Sequence, residues 1–308
     1  VDPAIPCGYC AGGGEFILME EMAKTLAGCN PPFLRIHNAM YLERSALDFP
    51  IRMYHTAFMK KAAGGIPFVL DESDTCPHNR FSKSAIGMHT HITGGIVNGM
   101  NGGKLWITNL SIPDAKHSLE YENILAQHKG FYHALLKHVK KVSWQGPVTI
   151  LPDKNSLWRP AHMAEFYNWT DWQHQLMNRY GIPGQYGNFT PGEVHLLTGD
   201  TIRALDDQTL QEVLSGKALL DGAAAFTVQQ RGFGELLGVA MEEREFRFSS
   251  ERVCSSGLRL RFMNDFTAPF MTVESSSVKV LTELVRYPFI KAPSCEVIAP
   301  GAILHKNS

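Results

Sequence analysis

The apolar positions of the chain fall into two alternating periods. "AIPCGYC" (4–10) is a short apolar run, and "EFILMEEMAKTLAG" (15–28) carries apolar residues at helical spacing and stops at a glycine. "PFLRIHNAMY" (32–41) alternates as a strand does, and "FPIRMYHTAFMKKAAG" (49–64) returns to the helical period. "IPFVLDE" (66–72) reads as a strand, "SKSAIGMHTHITGGIVNGM" (82–100) as a helix rich in small residues, "GKLWITNL" (103–110) as a strand and "ENILAQHKGFYHALLKHVKKV" (122–142) as an amphipathic helix. Four strand–helix units in succession predict a parallel sheet with crossover helices.

The pattern continues past Gly146. "PVTILPD" (147–153), "IPGQYG" (182–187) and "EVHLLTG" (193–199) read as strands, and "AHMAEFYNWTDWQHQLMNRYG" (161–181) as a helix with core-facing aromatics. "DDQTLQEVLSG" (206–216) reads as a helix opened by an Asp cap. "KALLDGAAAFTVQQRG" (217–232) is a strand, a tight turn and a helix start. This is a second, open α/β unit. From about residue 244, "EFRFSSERVCSSGLRLRFMND" and "PFMTVESSSVKVL" turn β-rich with polar turns. The division expected is 1–145, 146–243 and 244–308.

Composition narrows the function classes. The chain has 308 residues, 44% hydrophobic and 19% charged, an ordinary soluble globular make-up. Its 29 basic residues balance 30 acidic ones, so a nucleic-acid partner is not expected. The basic run "KHVKK" (137–141) reads as a helix end, where cations suit the dipole. No apolar run reaches the roughly 18–20 residues of a membrane span, and the first ten residues lack a signal-peptide pattern. A cytoplasmic and a periplasmic location are both compatible with this. Six scattered cysteines are too sparse for a disulfide scaffold.

The chemistry gathers at strand ends. Strand one delivers Tyr9; strand two delivers Arg35, His37 and Asn38; strand three delivers Asp71, Glu72 and Asp74, then His78 and Arg80; strand four delivers Trp106 and Asn109. In a β/α barrel the C-terminal strand ends carry function. Carboxylates, polar hydrogen-bonders and an aromatic platform are what a sugar site needs. Within the cluster, Phe68, Leu70 and Glu72 share one face of the strand, Val69 and Asp71 the other. Glu72, last on the strand, is the expected catalytic carboxylate, with Asp74 as a cap or substrate contact. The bland alternative is that the acids only cap the following helix and pair with Arg80.

"IPFVLDESDTCPHNRFSKSA" (66–85) and "HTHITGGIVNGMNGGKLWITNL" (89–110) resemble the last strands of a glycoside hydrolase barrel of the β-galactosidase-like clan. "GIPGQYG" and "VHLLTGDTIRALDDQTLQEVLSGKALLDGAAAFTVQQRGFGELLGV" (194–239) resemble the amidotransferase-like, flavodoxin-type domain that follows such barrels. The resemblance implies the C-terminal part of a (β/α)8 barrel, then a doubly wound domain, then a short β-rich tail. It implies retaining hydrolysis of a β-linked carbohydrate, with Glu72 as nucleophile and Trp106 as the stacking aromatic. Tyr9, Arg35, His37, Asn38, Asp74 and His78 would line the site. It requires no cofactor and no metal, and it suggests a homo-oligomer formed through the second domain. The clan's general acid follows strand four of eight, which here would fall before Val1, so the chain reads as a fragment. The Glu72-Ser73-Asp74 ending departs from the commoner family pattern and leaves the sugar and linkage open.

Two other readings compete. One is a non-catalytic carbohydrate-binding or interaction module on the same scaffold. The other is a redox protein using "CGYC", Cys7 and Cys10. In "HTH" (89–91), two histidines two apart on a helix point to different faces, which disfavours a metal site. In "LLDGAAA" (219–225), Gly222 and Ala223 stand where a class I amidotransferase presents its cysteine, so glutamine hydrolysis is not expected.

Overall fold

The computed structural model describes residues 4–11, 18–37, 43, 48–75, 82–107, 119–151, 172–203, 205–287 and 294–306. It divides into two compact units, Val1–Asn188 and Phe189–Ser308. The protein is mixed α/β, with parallel strands first and an antiparallel sheet last.

The first unit opens with the predicted succession: β1 (Tyr9–Ala11), α1 (Met19–Ala27), β2 (Phe33–Ile36), α2 (Asp48–Ala62), β3 (Phe68–Glu72), α3 (Ala85–Val97), β4 (Gly103–Lys104) and α4 (Leu119–Val139). The strands lie in the order β1-β2-β3-β4, all parallel. A strictly sequential order with right-handed crossovers puts the connecting helices on one face. Burial agrees with that. Ala11, Leu34, Ile36, Val69 and Asp71 are fully buried on one face. On the other, Cys10 and Phe68 are exposed, and Phe33, Arg35 and Leu70 are half-buried. Burying Leu34, Ile36 and Val69 stabilises the sheet by about 1.5–3 kcal/mol each.

Helix α1 buries Met19, Ala23 and Ala27 at a spacing of four, carries Glu20 and Glu21 in its first turn, and ends at Gly28 with φ 58°. Helix α3 starts where Ser84 Oγ accepts from the Gly87 amide at 2.9 Å. It packs on α4 through Met88, Ile92, Ile96 and Tyr121. Helix α4, expected to be amphipathic, buries only Tyr121 fully. Beyond it, β5 (Val148–Ile150) and β6 (Gln185–Gly187) form a parallel pair in this unit. Most of the long helix expected over 161–181 lies outside the described residues; Trp172–Gln175 is α-helical and Met177–Tyr180 a 3-10 turn.

The second unit pairs β7 (Val194–Leu197) with β8 (Lys217–Leu220) in parallel. Asp206 caps the helix Asp207–Leu214 by accepting from the Thr209 amide at 2.7 Å, as expected. The tail forms an antiparallel sheet of β9 (Val239–Val253), β10 (Arg259–Val273), β11 (Lys279–Arg286) and β12 (Glu296–Leu304), ordered β10-β9-β11-β12. Gln229 ties the preceding helical segment to this sheet: its amide donates to Met241 O and accepts from Met241 N, both at 2.7 Å. No helix among the described residues is long and apolar enough to cross a membrane.

At the strand-to-helix turn after β8, Asp221 Oδ1 accepts from the amides of Ala224 (2.7 Å) and Gly199 (3.1 Å). The helix begins at Gly222. Asp221→Ala removes a helix cap and strands a second amide, so a loss of about 1–2 kcal/mol is expected in urea unfolding. Asp221→Asn, which keeps the acceptor, should lose less.

Candidate functional site

The site is built by strand parity at the end of β3. Glu72 is the last strand residue, and pairing continues beyond it: the Ser73 amide donates to Lys104 O at 2.9 Å and the Thr75 amide to Trp106 O at 3.2 Å. Alternation therefore holds through Thr75. Glu72 and Asp74 share one face; Asp71, Ser73 and Thr75 share the other. Glu72 is in register with Lys104, so Lys104 and Trp106 lie on the carboxyls' side. Across β2, Arg35 is in register with Leu70, and the His37 amide extends the ladder by donating to Ala11 O at 2.9 Å. Arg35 and His37 thus also fall on the Glu72 face.

The side chains close on one oxygen. Arg35 Nη1 lies 2.8 Å from Glu72 Oε2, and His37 Nε2 lies 3.6 Å from the same atom. Glu72 is buried, whereas Arg35 and His37 are partly open to solvent. Burial pushes the Glu72 carboxyl above the usual carboxylate range. The Arg35 guanidinium opposes that shift, and Lys104 opposes it more weakly. Asp74 reinforces it twice, by its own charge and by a hydrogen bond between the two side chains. Glu72 therefore keeps a proton to a higher pH than an isolated glutamate. Arg35 supplies the charge that stabilises the ionised form.

On the opposite face, Asp71 is fully buried beneath α3. A Cβ at Gly95 would stand 2.7 Å from Asp71 Oδ2, so the glycine makes room for the carboxylate. His91 Nε2 lies 3.1 Å from that oxygen. His91 Nδ1 lies 2.9 Å from Lys83 Nζ, and both residues are 2% exposed.

Of the residues expected to form the site, Arg35, His37, Glu72, Asp74 and Trp106 are brought to one face of the sheet. The Trp106 side chain is 37% exposed. Tyr9 is not brought there. It is the first residue of β1, in register with Leu34, and alternation puts it on the face of Val69 and Asp71. Asn38 and His78, with Arg80 and Asn109, lie outside the described residues. Glu43 accepts from the Ser84 amide (2.9 Å) and from Ser84 Oγ (2.7 Å), which holds its carboxyl below the usual range and fixes it to the start of α3.

His91 and Lys83 were not singled out by sequence, although the expectation for "HTH" anticipated separate environments. His91 reaches Asp71, while His89 hydrogen-bonds Tyr132 OH at 2.8 Å and stacks on His128. Cys7 and Cys10 are free thiols, Cys10 exposed. Among the described residues no group of three or more His, Cys, Asp and Glu side chains could hold a metal ion. No family model, curated protein or solved structure matches the chain.

Proposed function

We propose that the Glu72 face carries the nucleophile half of a retaining glycoside hydrolase site, on the C-terminal part of a β/α barrel followed by a flavodoxin-type domain. The observation that carries the reading is Glu72 itself. It is a buried carboxyl at a parallel strand's C-terminal end, held by Arg35 at 2.8 Å, on the face that also carries the exposed Trp106. A nucleophilic carboxylate must be ionised, fixed in direction and open on the side of the sugar. The Arg35 contact supports the first two, and the half-exposed sheet face supports the third. The sequential, singly wound strand order also favours a barrel over a doubly wound sheet for the first unit.

One observation favours the second reading, a carbohydrate-binding module without turnover. Asp74, the carboxylate that acts on Glu72, comes from the same strand and bonds to it. It does not face Glu72 from across a cleft.

Covalent trapping separates the two. A 2,4-dinitrophenyl 2-deoxy-2-fluoro-β-galactoside needs no acid to expel its leaving group, so a competent nucleophile forms a stable glycosyl ester. Expected is a single adduct on Glu72 in peptide mass spectra, absent from Glu72→Gln. Its rate should rise with pH through the raised Glu72 titration point, because only the ionised form attacks. Binding of galactosides without any adduct would favour the module; an adduct elsewhere would move the nucleophile.

A further inference from the structure

We infer that Lys83, His91 and Asp71 form a buried relay behind β3 that positions Asp74 against Glu72, making Lys83 a positioning residue for the carboxyl pair. The inference builds on the reading of Glu72 as the working carboxyl, but it concerns geometry and stands apart from any sugar chemistry.

A lysine ammonium only donates. Lys83 Nζ lies 2.9 Å from His91 Nδ1, so Nδ1 is the acceptor and the ring's proton sits on Nε2. That nitrogen is the one 3.1 Å from Asp71 Oδ2. The relay therefore runs from Lys83 Nζ through the His91 ring to the Asp71 carboxyl. The contact with Asp71 is electrostatic and lacks hydrogen-bond alignment, since neither carboxylate oxygen has a hydrogen-bond partner, and it is where the buried charge finds its compensation.

The other hand of Lys83 reaches the site. Nζ donates to the backbone oxygen of Asp74 at 3.2 Å. Past Glu72 the ladder continues toward Lys104 and Trp106 through the Ser73 and Thr75 amides. Lys83 adds a hold from a different element, placed on Asp74 itself. The anchor is in turn fixed from two sides. Tyr121 OH donates to Lys83 O at 2.5 Å, and Glu43 takes both donors of Ser84. The hydroxyl of Tyr121 is buried deeply enough that its pKa is pushed up to about 12, so it stays a donor. A buried cation with a fixed base thus holds the peptide of Asp74, whose side chain acts on Glu72.

The readout is the titration of the Glu72 carboxyl, followed by carbon-13 NMR of the full chain with selectively labelled glutamate. The groups facing Glu72 are Arg35 from β2, His37 just after it, Asp74 just after β3 and Lys104 from β4. Two effects of Lys83→Met have opposite signs. Losing a nearby cation by itself would move Glu72 titration up. Losing the hold on Asp74 removes a like charge and a hydrogen bond and moves it down. We expect the downward movement in Lys83→Met, the same movement in Asp74→Asn, and no further movement when the two are combined. Upward movement, no movement, or full additivity in the double variant overturns the inference. Should Lys83→Met not fold, His91→Gln is read the same way. It removes the imidazole that steadies Nζ, and an unmoved titration point overturns the inference equally. A failure of sugar trapping with this result intact would sink the hydrolase reading and leave the relay standing.

Discussion

Lys83→Met is expected to lower the unfolding free energy of the Val1–Asn188 unit by about 3–5 kcal/mol. Removing one end of a buried pair of opposite charges leaves the other end uncompensated, even where, as here, an imidazole stands between them. Here that end is Asp71, 0% exposed, with Gly95 packed against it. The loss should be read against an exposed pair. Arg286 and Glu296 lie 3.5 Å apart with both side chains more than half exposed, so Arg286→Met should cost no more than about 1 kcal/mol. All five tryptophans fall in the Val1–Asn188 unit, so urea unfolding followed by tryptophan fluorescence reports the Lys83→Met loss, and far-UV circular dichroism reports the Arg286→Met comparison in the Phe189–Ser308 unit. Asp71→Asn in the Lys83→Met background should restore part of the loss, because the orphaned charge is then gone. A cost for Lys83→Met below about 1 kcal/mol, with additive behaviour in the double variant, would mean that Lys83 and Asp71 are not coupled.

The strand–helix succession was readable because each element keeps a clean period and ends on a recognisable residue. Ser84 and Asp206 cap helices, and Gly28 ends one with positive φ. The split between Asp71 and Glu72 was also readable, since a strand fixes which neighbours share a face. Tyr9 was misplaced for the same reason. The apolar run 4–10 puts it near a strand's end, but pairing with β2 begins only at Tyr9, and a short strand gives little pattern from which to fix its start. The roles of Lys83 and His91 had no local signal. A lysine before a helix start is ordinarily a solvated residue, and His91 looks like one of thirteen histidines. Their function depends on Asp71, which is 12 and 20 residues away and is brought near only when α3 folds back on β3. Helix α4 is amphipathic as its spacing predicts: Leu125, Tyr132, Leu135, Leu136 and Val139 pack against the α3 core, while Leu119 and Phe131 are exposed.

On the proposed hydrolase reading, unactivated alkyl β-galactosides are expected to be cleaved about 10²–10⁴-fold more slowly than acid assistance would allow, while the dinitrophenyl donor still glycosylates Glu72. The reason is the position of Asp74. A retaining pair needs its two carboxyls about 5–5.5 Å apart, one on each side of the scissile bond. Asp74 is bonded to Glu72 and emerges from the same strand two residues on, so it meets the sugar from the nucleophile's side. It can modulate the charge on Glu72 but cannot protonate an oxygen leaving from the far side. Glu43 is committed to Ser84, and Glu20 to Lys24 and the Gly65 amide. The measurement is the dependence of rate on the leaving group, using aryl and alkyl galactosides of graded acidity with the chain and with Asp74→Asn. A steep dependence is expected, equally steep in both proteins. A shallow dependence in the chain that steepens in Asp74→Asn would make Asp74 the general acid and would require Glu72 to act from a different geometry than its bond to Asp74 defines.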